Sequence, residues 1–334
     1  MPVVRRTIAD RAAGSLAPRD DDPQPNYVIV ALAGGTGGSK MVHGLALANG
    51  QADLTAVINT GDDGDFFGLL VCPDLDINLY ALAGVVADRG WGYADDTFRC
   101  LEGLATYGRE AWFGLGDRDL ATHIHRTLMV ADGASISQVM DDLCRRLGVK
   151  ARLHPMTDAP VRTIITTGTG EKRFQEYLVR DGAREEIDAI RIEGLDAASP
   201  APGVLDAIAG ASTVVIAPSS PIVSIGSILG VPGMRDAVAA RREQVIAVSP
   251  IIGNAPVEGP AQKFLRGAGY PECSARQMAE IYTDVCSTFV IHETDADDVP
   301  AIEALGVRVV VTDILMPDHA ARERLAHTVL GAMA

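Results

Sequence analysis

One stretch near the N-terminus constrains the fold more than any other part of the chain. Residues 27–65 read in order as a strand, a glycine-rich turn, a helix, a second strand and an acidic turn. Two successive strands joined by a helix are expected to be parallel, so both turns should lie at the carboxyl edge of one sheet. Open α/β folds bind their ligands at that edge. The stretch therefore predicts a ligand site in which a glycine-rich turn and an acidic turn lie side by side.

The glycine-rich turn precedes the apolar spacing of a helix and contains Gly34, Gly35, Thr36, Gly37 and Gly38. Glycine permits positive φ and lets backbone N–H groups approach an anion, and the N-terminus of the helix adds its dipole. The spacing is not that of a Walker A loop, because Ser39 precedes Lys40, and it also fails the GxGxxG dinucleotide fingerprint. A phosphate-binding turn is the favoured interpretation, and a tight structural turn is the alternative.

The acidic turn begins with Asn59, a candidate substrate contact, and contains Asp62 and Asp63; Asp74 and Asp76 follow soon after. Closely placed carboxylates repel one another unless a cation or a proton compensates. Mg²⁺ is commonly held by one or two carboxylates together with substrate phosphates. We therefore expect Mg²⁺ at Asp62 and Asp76. The alternative is that the turn carboxylates are solvated and that Asp76 only caps the following helix.

The rest of the chain alternates helical and strand patterns, which is typical of α/β proteins. Helices without an intervening strand are predicted at 95–107, 120–129 and 135–147, as a helical insertion at about 95–150. Strands are predicted at 162–167, 174–179, 213–217, 244–248, 286–292 and 307–312, the first two as a hairpin, and a closing helix at 318–333. The predicted fold is one three-layer, Rossmann-like α/β domain at 27–334 with a mostly parallel sheet. Residues 1–26 are predicted to form a flexible tail.

Composition excludes several classes of function and indicates the cellular compartment. The net charge of −15 argues against general binding to nucleic acids or to an anionic membrane surface. The five cysteines contain no CxxC pair, which suits neither a disulfide framework nor a zinc site. No apolar run approaches the roughly 18 residues of a membrane span, and the N-terminus lacks the apolar region of a signal peptide. We expect a cytoplasmic protein without nucleic-acid or membrane partners.

Later segments contain further candidates for ligand contacts. Arg89 could clamp a phosphate or carboxylate, and Trp91 could either stack on a planar ring or belong to the core. His123 follows Asp119 by four residues, which favours a structural network between the insertion and the sheet over a metal site. A loop after a predicted strand carries small groups suited to a nucleotide's phosphate or ribose: Ser219, Ser220, Ser224 and Gly226.

In chain order, the motifs GGTGGSK, NTGDD, CPDLD, RGWG, WFGLGDRDLATH, APSSPIVSIG and SPIIG resemble those of the 2-phospho-L-lactate transferase family of coenzyme F420 biosynthesis. The resemblance begins at about Tyr27. It implies transfer of a phosphorylated three-carbon acid from a guanylyl diphosphate donor to the terminal ribityl hydroxyl of the deazaflavin FO, with release of GMP and assistance by Mg²⁺. The acid could be phospholactate, phosphoenolpyruvate or 3-phosphoglycerate.

The resemblance also implies roles for the acidic and aromatic positions. Asp62 and Asp76 match acidic positions associated with the metal and the reacting diphosphate. Asp63, Arg89 and Trp91 match positions near the deazaflavin. We expect Asp62 or Asp63 to position the acceptor hydroxyl or to take its proton.

The donor-binding elements of the family match the turn from Gly34 to Lys40 and the loop from Ser219 to Gly226. Ser220 stands where asparagine is expected, which could alter donor contacts. The family resemblance also favours a homodimer. A nucleotide-sugar-binding regulatory protein of related fold is the alternative, and the failed GxGxxG spacing argues against an NAD-dependent oxidoreductase.

Overall fold

A computed structural model describes residues 27–257 and 259–333, and the predicted tail at 1–26 lies outside the described residues. The strands are β1 (Ile29–Ala33), β2 (Leu54–Ile58), β3 (Gly64–Phe66), β4 (Leu69–Val71), β5 (Arg152–Pro155), β6 (Arg162–Thr167), β7 (Gly170–Arg173), β8 (Ile187–Glu193), β9 (Thr213–Ile216), β10 (Val245–Val248), β11 (Ile251–Ile252), β12 (Ala255–Pro256), β13 (Thr288–Ile291) and β14 (Arg308–Val311). The helices are α1 (Gly35–Asn49), α2 (Pro73–Leu82), α3 (Arg99–Thr106), α4 (Asp117–Ala131), α5 (Ile136–Leu147), α6 (Val204–Gly210), α7 (Ile225–Gly230), α8 (Met234–Ala239), α9 (Ala261–Gly267), α10 (Ala275–Tyr282), α11 (Val299–Glu303) and α12 (His319–Gly331).

The central sheet has seven strands in the order β14-β13-β10-β9-β1-β2-β5, and every neighbouring pair is parallel. Ile29 pairs with Leu54 and Ala33 with Ile58, so β1 and β2 end level at the same edge. The chain adds β2 and β5 on one side of β1 and then returns to add β9 on the other side. This reversal between β1 and β9 is the position at which open α/β sheets form a ligand crevice.

Helices cover both faces of the sheet, because the buried strands alternate their side chains between two apolar layers. Ile29, Ala31 and Ala33 of β1 face a layer that includes α1, α2, α5 and α12. Val30 and Leu32 face the opposite layer, which includes α6, α7, α8 and α10. The predicted three-layer α/β fold with a mostly parallel sheet is confirmed.

Three helices, α3, α4 and α5, occupy the connection between α2 and β5, as the periodicity predicts. α5 begins with a capping box, in which Ser135 and Gln138 bond each other's backbone N–H groups. Within the described ranges, no helix is both long enough and apolar enough to cross a lipid bilayer.

The structure corrects the prediction of a strand at 174–179. β6 pairs with β7, which ends at Arg173, and with β8, so a three-stranded antiparallel sheet forms instead of a hairpin. The chain then makes a helical turn at Glu176–Arg180. Phe174 and Tyr177 of this segment pack around Phe264 of α9. Their three-residue spacing places both side chains on one face of a helical turn, whereas in a strand they would point to opposite faces.

β5 and α2 also differ from the sequence prediction. β5 was not predicted, because Arg152, His154 and Pro155 obscure the pattern of a strand at the edge of the sheet, where proline is tolerated. α2 begins at Pro73, and Cys72 is its cap. Asp76 therefore lies inside the first turn of α2 and does not cap it.

Candidate active site

The glycine-rich turn is the junction between β1 and α1. Gly34 is the cap of α1, and the glycines that follow form its first turn. The Gly34 N–H donates to Ser219 Oγ at 3.1 Å, and the Ser219 hydroxyl donates to the Gly34 carbonyl at 2.8 Å. A Cβ atom at Gly37 would lie 2.5 Å from the Pro218 carbonyl oxygen. The turn is therefore held tightly against the segment after β9, and its glycines are needed for this approach as well as for exposing the helix N-terminus.

Asp74 joins the glycine-rich turn to the acidic turn. It lies in the first turn of α2 and is 5% exposed. Its Oδ1 accepts the Gly35 N–H at 2.8 Å, and its Oδ2 accepts Nδ2 of Asn59 at 2.9 Å. Asn59 in turn accepts the Gly61 N–H at 2.9 Å. The predicted proximity of the two turns is confirmed, and one carboxylate bridges them.

The acidic turn buries two more carboxyl groups beside Asp74. Asp62 and Asp63 are 6% and 8% exposed, and Oδ1 of each has no hydrogen-bond partner. Burial raises the pKa of Asp62 well above its ordinary value, and the neighbouring charges of Asp74 and Asp63 raise it further. Burial raises the pKa of Asp63 to about 8 and that of Asp74 to about 6. These groups are thus placed where a proton or a cation is required to compensate them.

Asp76 has a different partner from the one predicted. Both of its carboxylate oxygens accept hydrogen bonds from the guanidinium of Arg126 on α4, and the Nη1 bond to Oδ2 measures 3.2 Å. Arg126 is fully buried. The buried guanidinium already neutralises the Asp76 carboxylate, whereas the partners of Asp74 are neutral, so Asp76 is the less suitable Mg²⁺ ligand. Asp74, with Asp62, is the more suitable pair.

A polar network extends from this ion pair along α4. Arg126 Nη1 also donates to His123 Nδ1 at 3.1 Å, and because a guanidinium cannot accept, neutral His123 carries its proton on Nε2. Nε2 lies 3.2 Å from Oδ1 of Asp119, which accepts the Tyr80 hydroxyl at 2.7 Å. The predicted structural network between the insertion and the sheet layer is confirmed, and α2 is its partner.

A cavity of about 460 Å³ opens over the two turns. Its lining includes most of the residues that the sequence predicts for the site: Gly34, Gly35, Thr36, Gly37, Lys40, Asp62, Asp76, Trp91, Ser219, Ser220 and Ser224. Segments with no predicted role add apolar walls, notably Phe113, Phe174, Leu178, Phe264 and Met316. The predicted contacts Gly38, Asn59, Asp63, Arg89 and Gly226 lie outside this lining. Asn59 acts on the site through Asp74.

A smaller cavity of about 50 Å³ lies on the other side of Asp62. Asp62 lines both cavities, whereas Asp63 and Thr163 line only the smaller one. Asp63 is therefore adjacent to the main cavity rather than part of its wall.

Trp91 lies at the rim of the main cavity with 44% of its surface exposed, so it does not belong to the core. The Arg89 guanidinium stacks over its ring at 4.2 Å from the centroid, and Nε donates to the Trp91 carbonyl at 3.0 Å. Arg89 thus packs against one face of the indole, and the exposed part of the ring is available for stacking at the rim.

The loop after β9 reaches the cavity, as predicted. Ser220 Oγ lies 3.3 Å from the Val223 N–H and turns the chain into α7. Gly226 has a packing role, because a Cβ atom there would lie 2.7 Å from the Pro221 carbonyl oxygen. Ser219, whose hydroxyl bonds the Gly34 backbone, holds the glycine-rich turn in place.

No group of three or more histidine, cysteine or acidic side chains in the described part of the chain is arranged to hold a metal ion. A Mg²⁺ ion at this site would have at most two carboxylates from the chain and would need oxygens from the substrate. That ligand set is the usual one for Mg²⁺ in phosphoryl transfer. The unpartnered Oδ1 of Asp62, beside Asp74, fits such an ion.

Comparisons with known proteins show what this chain is similar to. A family model described as 2-phospho-L-lactate transferase CofD matches residues 29–320. A phosphoenolpyruvate transferase of Streptomyces griseus is 44% identical over 308 residues, which cover 90% of this chain and 97% of the relative. A 2-phospho-L-lactate transferase of Methanopyrus kandleri is 41% identical over 308 residues, which cover 91% and 97%. A solved UPF0052-family structure from Bacillus halodurans covers 92% of this chain and 100% of its own, with a TM-score of 0.61 and 18% identity, a likeness of fold alone.

Proposed function

The chain belongs to the 2-phospho-L-lactate transferase CofD family, a family of transferases in coenzyme F420 biosynthesis, and on that premise we propose its reaction. It transfers a phosphorylated three-carbon acid from a guanylyl diphosphate donor to the terminal ribityl hydroxyl of FO, and GMP leaves. The acid is phospholactate, phosphoenolpyruvate or 3-phosphoglycerate. The proposed assembly is a homodimer, and the proposed compartment is the cytoplasm.

One observation carries the proposal: a buried carboxylate, Asp74, links an anion-binding helix N-terminus to a cluster of buried acids in the wall of one cavity. A diphosphate needs N–H donors and a cation at the same place. The first turn of α1 supplies the donors, and Asp62 with Asp74 supplies the oxygens for the cation.

The donor occupies the side of the cavity lined by the glycine-rich turn, Lys40 and the Ser220 loop. Lys40 contributes positive charge where the acidic chain otherwise has little. The acceptor ring occupies the rim at Trp91 and Phe113, where an aromatic face is exposed. With the donor and the acceptor ring in these positions, the acceptor hydroxyl reaches the diphosphate near Asp62.

The chemistry requires positioning and charge stabilisation rather than a covalent residue. The acceptor hydroxyl attacks the phosphorus that carries the acid, its oxygen forms the new P–O bond, and the P–O bond to GMP breaks. Asp62, which lines the cavity, or Asp63 beside it positions the acceptor hydroxyl or takes its proton. Burial raises the pKa of Asp63 to about 8, so Asp63 can accept a proton only in the ionised fraction of the protein, which grows as the pH rises towards 8. Asp62 and Asp74 would hold Mg²⁺, which would supply charge neutralisation for the diphosphate when bound.

The test is incubation of the purified chain with FO, Mg²⁺ and each of the three guanylyl donors in turn. Mass spectrometry should detect a phosphoester of FO and an equal amount of GMP with at least one donor. As a control, Asp65→Asn removes an exposed carboxylate of β3, two residues after Asp63, whose side chain is 60% exposed. This variant should retain activity. Absence of product with all three donors would eliminate the transferase proposal and favour a binding protein without turnover.

A further inference from the structure

Arg126 is the most deeply buried cation near the site, yet it lies outside the lining of the main cavity. Its position on α4 is 50 residues from its partner Asp76 on α2. A cation in such a place requires an anion of fixed geometry, and the planar guanidinium meets both oxygens of Asp76. The ion pair therefore joins α4 rigidly to the first turn of α2.

α4 also holds the strand that precedes α2. Arg126 Nη1 donates to the Leu70 carbonyl at 3.3 Å, and the Leu70 N–H donates to Thr127 Oγ1 at 2.9 Å. Leu70 belongs to β4, which pairs with β3, and β3 begins one residue after Asp63. One face of α4 thus restrains both the segment that leaves the acidic turn and the helix that carries Asp74.

The carboxylates of the site depend on these restraints. Asp74 lies two residues before Asp76 in the same helical turn, and its two oxygens meet Gly35 and Asn59 at 2.8 and 2.9 Å. A shift of this turn by a fraction of an ångström would disturb both hydrogen bonds, since hydrogen bonds weaken steeply with poor geometry. The placement of Asp74 beside Asp62, whose pKa its charge raises, would change at the same time.

We propose that Arg126 is a positioning residue, which holds the carboxylates of Asp62 and Asp74 in the geometry that binds the donor diphosphate with its cation. It acts through Asp76 and Leu70 and touches neither substrate. Asp76 is accordingly the counter-ion of Arg126. The inference rests on the proposed function, because it assumes that a diphosphate and Mg²⁺ bind at these carboxylates.

The test compares the full chain with the double variant Arg126→Met/Asp76→Asn, which removes both charges so that no unpaired ion remains buried. Isothermal titration measures the affinity for GDP as a function of Mg²⁺ concentration, and a separate titration measures the affinity for FO. The Mg²⁺-dependent GDP affinity should fall on the order of 10-fold to 100-fold, as for other residues that orient metal ligands, whereas FO affinity should stay within about twofold.

The matched control is Arg235→Met/Asp284→Asn. It removes an exposed bidentate ion pair between Arg235 of α8 and Asp284, which follows α10, with both N–O distances at 2.7 Å. It should bind GDP as the wild type does. Arg126→Lys keeps the charge but loses the paired N–H donors of the guanidinium, and it provides a second variant in case the double variant does not fold. It should show the same selective loss of GDP affinity. Hydrogen exchange at Gly35 should accelerate in either Arg126 variant.

Wild-type binding of GDP with Mg²⁺, together with unchanged GDP affinity in a folded Arg126 variant, would overturn the positioning role and leave the proposed function intact. A wild-type protein that binds neither GDP with Mg²⁺ nor FO would overturn both. Equal losses of GDP and FO affinity would also overturn the inference, because they would indicate general damage rather than control of the carboxylates.

Discussion

Replacing Asp63 by asparagine should stabilise the metal-free protein and at the same time reduce turnover. Burial raises the pKa of Asp63 from 3.8 to about 8, and one of its oxygens has no hydrogen-bond partner. The folded protein therefore keeps a proton that the unfolded chain releases near pH 4. Because the folded-state pKa is the higher one, stability is greatest at low pH and is lost as the pH rises from about 4 to about 8.

The magnitude follows from the interval between the unfolded pKa and the working pH. At pH 7 the folded group is still mainly protonated, so the interval from 3.8 to 7 is about 3.2 units, or about 4 kcal/mol at 1.36 kcal/mol per unit. An unfolding entropy of about 2.1 cal/mol/K per residue over 334 residues gives about 0.7 kcal/mol/K. Asparagine has no charge to desolvate, so Asp63→Asn should raise the Tm at pH 7 by about 6 °C.

The assay is calorimetric unfolding in EDTA at about pH 5, 7 and 8.5, where the advantage of Asp63→Asn should grow with pH. The control is Asp65→Asn, whose side chain is 60% exposed in the same turn and whose free energy of unfolding should change by less than about 0.5 kcal/mol. A Tm for Asp63→Asn at or below that of the wild type at pH 7 would refute the argument from burial. A gain that is the same at all three pH values would refute it equally, since the effect must follow ionisation.

Three further predictions concern the site and its supports. Asp62→Asn should remain folded, lose turnover by more than about 100-fold and lose the Tm increase that Mg²⁺ with GDP gives the wild type; retained activity at saturating Mg²⁺ would remove Asp62 from the metal site. Trp91→Ala should weaken FO binding by about 10-fold in a fluorescence titration, whereas Tyr107→Ala, 85% exposed and away from the cavity, should not; equal affinities would leave the indole without a stacking role. Gly37→Ala should lower the free energy of unfolding in urea by about 1–3 kcal/mol, because its Cβ would lie 2.5 Å from the Pro218 carbonyl oxygen, whereas Gly210→Ala, with no atom within 4 Å, should be nearly neutral; similar midpoints for the two variants would contradict the close packing of the turn.

The parts of the fold that local sequence encodes were predictable. The second strand predicted within residues 27–65 is β2, Leu54–Ile58, because a short apolar run between polar turns is typical of a strand buried on both faces. Ser135 and Gln138 mark the start of α5 in the same local way. The sequence does not predict β5, because its position at the edge of the sheet allows a composition that does not resemble a strand.

The candidate site was predictable in location and only partly in detail. Parallel strands end at one edge of a sheet, and this rule predicts that the two turns lie together. The choice between Asp74 and Asp76 was not accessible, because it depends on Arg126, a residue 50 positions away that meets Asp76 only in the folded chain. Nothing in the spacing of Asp74 and Asp76 distinguishes the carboxylate that faces Gly35 from the one that faces the guanidinium.

The position of Asp74 between the two turns has a thermodynamic consequence for the order in which ligands bind. The N–H of Gly35 and the side-chain amide of Asn59 both hydrogen-bond this one carboxylate, so a cation bound to it would also change the orientation of both groups. Linkage requires any such effect to be reciprocal: if Mg²⁺ tightens the diphosphate, the diphosphate tightens Mg²⁺ by the same factor. The free protein should consequently respond weakly to either ligand alone and strongly to the pair, so that the donor enters as its Mg²⁺ complex and cation concentration controls the occupancy of the site.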